Sequence, residues 1–367
     1  MKITKITLAV LVSFLVNAVT FAGELTVTGS AKATYALRGS DSTTTKSNGG
    51  KGIGIANEFT LSASGETDNG IAWKYAQDID GATVQDDASL TLTFGDLGTI
   101  GIFVSEGGIS SKYGWSPAVY APGSDYGYTS NNASSVVHDA GTSSASFTYG
   151  DDIGGWNNFQ YHTPAGLLPF GVTAKLAYAP NMGADANASS DAAGSVGNPE
   201  DGTSASQYQV NDTPIDGLSV TASYFTKNSP MSERKYKYEA GGASAKYSMG
   251  PVTIGYGEFR VQPSYLKTDT AITKLYKNTS YGIGFNVNEA FSVSYTKENS
   301  EADKLTSITA TSAADARATV ETEITAIQAA YTMGGMTISV ANKNIDNMDY
   351  TTALDAKETV IAVSLAF

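Results

Sequence analysis

The chain contains no cysteine. A disulfide framework and thiolate metal sites are thereby excluded. Histidine is nearly absent too: His138 and His162 are the two in 367 residues. They are not at ligand spacing, and no Ser-His-Asp constellation can be placed around them, so neither a metal site nor a hydrolase is read here. Charged residues make up only 16%, and arginine is the scarcest of them, with Arg38, Arg234, Arg260 and Arg317 the full set. The formal net charge is −13. Phosphate contacts require a basic surface, so nucleic acid is excluded as a partner. The Gly-Gly pairs at 49–50, 107–108, 154–155, 241–242 and 334–335 build no phosphate loop and read as turn or loop glycines, or as places where small residues relieve crowding.

Long apolar runs are also missing, except at the start. MKITKITLAVLVSFLVNAVTFA has a basic beginning (Lys2, Lys5), an apolar stretch from Ile6 to Val16, and Thr20-Phe21-Ala22 at the positions a signal peptidase reads. Residues 1–22 are read as a cleaved signal peptide; the apolar stretch is short for a membrane span and no stop-transfer charges follow. Residues 23–367 then form the exported domain, and loss of the two lysines takes the net charge from −13 to −15.

Period-two alternation fills that domain. In GELTVTGSAKATYALRG the odd positions Leu25, Val27, Ala31, Ala33, Tyr35 and Leu37 are apolar or small. The even positions Glu24, Thr26, Thr28, Ser30, Lys32, Thr34 and Arg38 are polar, with Ala36 the exception. The same alternation recurs in KGIGIANEFTLSAS, IAWKYAQDID, ASLTLTF, TIGIFVS, NNFQYHTP and GVTAKLAYAP, and onward to the terminal VIAVSLAF. Such alternation marks strands with one apolar face. The mean hydropathy of −0.15 resembles that of a soluble protein. In a membrane barrel the two faces cancel, so the average is uninformative.

Connections alternate in length. GETDNG, GDLG, AGLLPFG, PIDG, MGP, NEA and GG are short. Residues 39–50, 106–146, 180–206, 228–237, 262–274, 301–320 and 346–356 are long, with GATVQD a shorter member of the long set. The expected fold is all-β: a closed antiparallel transmembrane β-barrel of about 16 strands, with tight turns on one side and long loops on the other. Closure is required because hydrocarbon offers no water to pair an open sheet edge. In KETVIAVSLAF the large residues Ile361, Val363, Leu365 and Phe367 alternate with Val360, Ala362, Ser364 and Ala366. This is the closing strand: it pairs with the first, faces its large side chains to lipid, and sets Phe367 in the interfacial aromatic girdle. A soluble sandwich fails on strand length, strand number and loop alternation together. A β-helix or surface-layer protein leaves the tyrosines at strand ends and the terminal Phe unexplained. SAADARATVETEITAIQAA (312–330) has helical composition; its front is read as loop with at most one helical turn, its back as strand.

ASLTLTFGDLGTIGI, NNFQYHTP and the terminal VSLAF, in this order and spacing, resemble the Gram-negative general diffusion porins over essentially the whole mature chain. The resemblance implies a homotrimer in the cell outer membrane, in contact with outer-membrane lipid and recognised by the outer-membrane assembly machinery through the Phe367 strand. It implies an inward-folded constriction loop, here residues 106–146, which carries Tyr113, Trp115, Tyr120, Tyr126 and Tyr128. It also implies passive diffusion of small hydrophilic solutes and ions, with no cofactor and no enzymatic step. The arginine cluster common in the family is missing, and so is its acidic loop motif.

A pore acts by geometry and field, through opposed charges at a narrow waist. Lumen parity on the early strands collects Lys32, Arg38, Glu58, Lys74 and Asp78, and Lys175 comes from a later one. The inward loop offers Glu106, Lys112, Asp125 and Asp139. A basic wall facing an acidic loop would set a transverse field across the waist. An acidic total favours cations, weakly, because salt screens it over about 8 Å. NPED (198–201) and KENSEAD (297–303) read as solvated acidic loops. Two alternatives stay open: a substrate-specific channel of the same architecture with the loop aromatics as its binding track, and an exported structural or adhesive surface protein.

Overall fold

A computed structural model describes residues 24–40, 50–80, 87–111, 150–180, 182, 204–228, 236–265, 272–305 and 317–367. Sixteen strands follow in chain order: β1 (Glu24–Ser40), β2 (Gly50–Glu66), β3 (Ala72–Asp80), β4 (Ala88–Thr93), β5 (Thr99–Val104), β6 (Asn158–His162), β7 (Thr173–Ala179) and β8 (Ala205–Ile215). The second half is β9 (Leu218–Lys227), β10 (Glu239–Met249), β11 (Val252–Gln262), β12 (Ile272–Asn286), β13 (Phe291–Leu305), β14 (Arg317–Met333), β15 (Met336–Asp346) and β16 (Ala356–Ala366). Each strand pairs antiparallel with its sequence neighbours, and β1 pairs with β16 from Ser30↔Ala366 to Ser40↔Ala356, so the barrel is closed. Phe367 completes the seam: its N–H donates to the Gly29 carbonyl (3.0 Å), it accepts from the Gly29 N–H (2.7 Å), and its ring lies 5.7 Å from that of Phe59.

The two faces are inverted relative to a soluble protein. Ile53 is 87% exposed and Leu25 67%, in company with outward Ile55, Ile283 and Leu365. Inside, many of the buried side chains are instead polar, among them Asn158, Gln207, Ser223, Ser244, Ser294, Thr296 and Ser300, beside an apolar cluster around Phe225, Phe259 and Val261 under the inward segment. Water-soluble folds do the reverse. Outward apolar and inward polar side chains on a closed sheet match a wall with hydrocarbon outside and a polar interior.

Two expectations are corrected. The front of 312–330 is not loop from residue 317 on: β14 starts at Arg317, and its pairing with β13 runs from Leu305↔Arg317 to Phe291↔Tyr331. The Ala and Glu content favours helix only weakly, and the ladder with alternating burial overrides it; residues 312–316 lie outside the described residues. KENSEAD is strand rather than acidic loop, so the 301–320 connection shortens. Two of its charges are matched across the outward face, where Lys297 meets Glu323 (2.6 Å) and Lys277 meets Glu301 (2.8 Å). NPED lies outside the described residues. Finally, β4 to β7 span only 6, 6, 5 and 7 residues. A tilted membrane strand needs about 9–11. The barrel wall is therefore low on this arc, where the chain leaves the sheet for the interior.

Candidate functional site

After Val104 the chain turns inward. Ser105 (φ 58°) and Gly107 (φ 82°) are both left-handed, and a Cβ at Gly107 would press on the Phe103 ring at 2.7 Å. The next residues walk across the inner wall, and their backbone groups are met by inward side chains of successive strands. Asn158 Nδ2 donates to the Glu106 carbonyl (3.1 Å) and Gln160 Nε2 to that of Gly107. Gln209 Nε2 donates to the Ile109 carbonyl (2.8 Å). The Ser111 N–H donates to Ser223 Oγ (2.7 Å), Ser111 Oγ to the Gly242 carbonyl (2.9 Å), and Ser244 Oγ to the Ser111 carbonyl (3.2 Å). Buried backbone groups must be paired, and here β6, β8, β9 and β10 supply the partners. The polar residues that alternate with Phe159, Tyr208 and Tyr224 are thus the docking rail.

The returning leg is clamped to the outgoing one. Asp152 accepts from the N–H groups of Ile109 (3.1 Å on Oδ1) and Ser110 (3.0 Å on Oδ2). Ile153 is fully buried, and its N–H donates to Gln207 Oε1 (2.8 Å). Trp156 stacks on Phe225 at 5.9 Å. Lys227 reaches 4.9 Å from the Trp156 ring and 4.5 Å from that of Tyr238, and it pairs with Asp151. The Asp151 N–H donates to the Tyr238 hydroxyl (2.8 Å). Burial, and then the Asp151 carboxylate, push the Tyr238 phenol well above its ordinary range.

Several of the charged residues expected in the lumen come together. Glu106, at the start of the inward leg, bonds Ser89 and interacts with Asp78 and Lys74 of β3. Burial raises the Glu106 pKa above 4.5; the Ser89 bond and Lys74 oppose this, and Asp78 adds to it. Lys175 lies across the ladder from His162. Glu58 lies between Ser30 and Asp80 in register. The Cα of Arg38 is opposite that of Glu358. Lys112, Asp125 and Asp139, with the aromatics of 113–128, lie outside the described residues. Among the described residues no three acids or histidines stand close enough to hold a metal ion.

The sequence reading missed the most buried charges of the wall. Lys343 on β15 lies directly across from Glu358 on β16, at 0% and 1% exposure. Glu298 and Lys32 complete their electrostatic surroundings. The parity of KETVIAVSLAF already puts Glu358 on the inner face with Val360 and Ala362; carried across the ladder, it finds Lys343. On this arc acidic and basic groups interleave, so it is not the uniformly basic wall of a simple transverse field.

Glu106 gives a prediction with a definite sign. Its folded pKa is raised, so between 4.5 and the raised value the folded chain holds a proton that the unfolded chain has lost. Stability therefore falls as pH rises through that window, and the full cost stands above it. Glu106→Gln is expected to raise the urea midpoint at pH 7 and to lose that advantage below pH 4.5. A pH-independent difference between the two proteins would contradict it.

No family model matches the sequence, and no curated protein does. Solved structures do match. An anion-selective porin from Comamonas acidovorans aligns with a TM-score of 0.63 at 12% identity, over 94% of this chain and 100% of that one. The fold is that of the outer-membrane porins. The same porin fold is shared with a loop-deletion mutant of OmpT, an outer membrane protein of Vibrio cholerae (TM-score 0.62, 10% identity, 95% and 100% covered). It is shared too with OmpF of Salmonella typhi (0.55, 15%, 94% and 98%).

Proposed function

We propose that this chain is an outer-membrane porin: a water-filled channel through which small hydrophilic solutes and ions pass down their gradients, with no cofactor and no bond chemistry. The observation that carries the reading is the inner face. A closed barrel with an apolar exterior holds, on β6 to β10, a chain segment bonded to its inner wall at both ends, and charged side chains line the arc that remains. Residues 106–146 are the constriction element in this reading, and residues 1–22 are removed on export. Lys32, Arg38, Glu58, Lys74, Asp78, Glu106, Lys112, Asp125, Asp139 and Lys175 are the proposed lining; Glu298, Lys343 and Glu358 are buried behind it.

The channel is proposed to work as a homotrimer. Six residues of strand extend about 20 Å, and tilted at about 45° they rise about 14 Å, against an apolar band about 25 Å tall. The outer surface of β4 to β7 cannot cover that band alone, and a neighbouring subunit would. One similar structure is described as a trimer form of OmpT.

Single-channel recording in a planar bilayer, with a KCl gradient, tests the reading. Stepwise ohmic openings are expected, with a reversal potential on the cation side. Well-folded protein without conductance would overturn the channel and favour a structural surface protein.

A further inference from the structure

The connection between β15 and β16 does not stand out from the barrel as a loop. Residues 347–355 fold inward at the long-loop end and settle on the inner faces of β12, β13 and β14. The Tyr350 hydroxyl and Ser300 Oγ share a hydrogen bond (2.6 Å), and Ser300 is 0% exposed. Ser300 Oγ in turn donates to Asn278 Oδ1 on β12. Lys304 Nζ donates to the Tyr350 carbonyl (3.1 Å) and sits 5.7 Å from its ring, and the Tyr276 ring lies 5.3 Å away. Thr322 Oγ1 donates to the Asn347 carbonyl (2.7 Å) and accepts from the Tyr350 N–H (3.1 Å). Met348 and Tyr350 are buried.

The backbone of this segment is strained. Asn347 (φ 51°), Tyr350 (φ 53°) and Ala353 (φ 62°) are all left-handed without being glycine. Left-handed non-glycine residues cost about 1–3 kcal/mol each and persist only where the surroundings hold them. The surroundings do so here: the Asn347 N–H donates to Asp355 Oδ1 (3.0 Å), and the Ala353 N–H to Asn347 Oδ1 (2.9 Å). Asn347 Nδ2 donates to the Glu321 carbonyl (3.0 Å). An ordinary surface loop carries no such demand. A two-residue turn would join β15 to β16, since their ladder already reaches Ile345↔Ala356.

We propose that residues 347–355 are a second constriction element, a strap latched by Tyr350 on Ser300, that sets which solutes pass by narrowing the mouth from the β12–β14 side. The proposal rests on the channel reading. The first inward segment covers β6 to β10 and the inner faces of β15 and β16 are buried, so the two leave the charged arc from β1 round to β5 as the path. A solute is then held between two fixed shoulders while it faces Lys32, Lys74 and Asp78, which makes the strap a determinant of size exclusion.

The test replaces residues 347–354 by Asn-Gly and compares the variant with the full chain, both verified as folded by heat-dependent gel shift. Conductance is expected to rise by about half again, because a pore's selectivity and flow follow its narrowest lining. In liposome swelling, a trisaccharide should gain more than a monosaccharide. The chain has no cysteine, so Ser300→Cys provides a single thiol. A charged methanethiosulfonate is expected to modify it at least about tenfold faster without the strap, since the reagent needs an exposed thiolate. Tyr350→Ala keeps the chain length and should give the same increase in labelling if the Asn-Gly variant fails to fold. Current from the full chain with unchanged conductance, size cut-off and labelling in the variants would overturn the strap alone. No current from the full chain would overturn the channel and the strap with it.

Discussion

Asp152→Ala is expected to release the inward leg from the wall. The carboxylate is the acceptor for the N–H groups of Ile109 and Ser110, and it also takes that of Gly154 at 3.3 Å. Alanine leaves those donors in a part-buried site without a replacement. Each unsatisfied donor costs about 1–3 kcal/mol, so losing the Ile109 and Ser110 bonds costs about 2–4 kcal/mol after partial rescue by water. Amide exchange at Ile109 and Ser110 should then accelerate by about 30- to 700-fold, while exchange in β12 to β16 stays unchanged. In single-channel records the quiet open level should become noisy, because the segment in the lumen no longer has one position. Asp152→Asn keeps one acceptor oxygen and should fall between the two proteins. Unaltered exchange at both amides would mean that Ser223, Ser244 and Gln209 hold the leg by themselves and that the carboxylate is not its clamp.

The barrel itself was legible because membrane strands obey one rule with few exceptions. Lys32, Ser62 and Thr91 point one way and Ala33, Leu61 and Leu90 the other, so parity alone assigns both faces, and a one-residue slip would reverse them all. The closing of β16 on β1 followed from the same logic, since an edge in hydrocarbon has no partner. Where the reading went astray, a local signal competed with the ladder. The segment after residue 316 has helix-forming composition, and KENSEAD has the charge of a loop; both are strand because pairing with neighbours supplies what propensity does not. The site was less legible. Asp152 is an ordinary loop acid until its two oxygens are seen to meet the amides of residues 109 and 110, more than forty positions away. Residues 347–355 look like any connection, since nothing in NMDYTTALD announces that Tyr350 turns inward. Lys343 and Glu358 could have been paired only by knowing the register of β15 on β16, which alternation leaves free by two-residue steps.

That pair carries the largest stability effect expected in the molecule. Lys343 and Glu358 face each other with almost no solvent contact, and Glu298 adds a second carboxylate to the surroundings of the amine. Lys343→Met is close in shape, so packing is preserved while the cation disappears. What remains is an arc with Glu358 and Glu298 and one fewer positive charge to offset them. Lys343 Nζ makes no hydrogen bond, so what is lost is the attraction between two opposite buried charges, and Glu358 then keeps its desolvation penalty with less to offset it. The folded barrel should therefore unfold at clearly lower urea than the parent at pH 7. Replacing both partners, Lys343→Met with Glu358→Leu, should recover most of the loss, since swapping a buried pair for apolar residues is often neutral or stabilising by about 1–4 kcal/mol. The sign of that recovery is the informative quantity. If the double variant is as stable as the parent, the pair is not there for stability, and its retention in the wall belongs to the field seen by permeating ions; its reversal potential in a KCl gradient should then shift even though its net charge is unchanged. If the double variant is no more stable than Lys343→Met, the two side chains are not coupled, and the loss in the single variant comes from packing around residue 343.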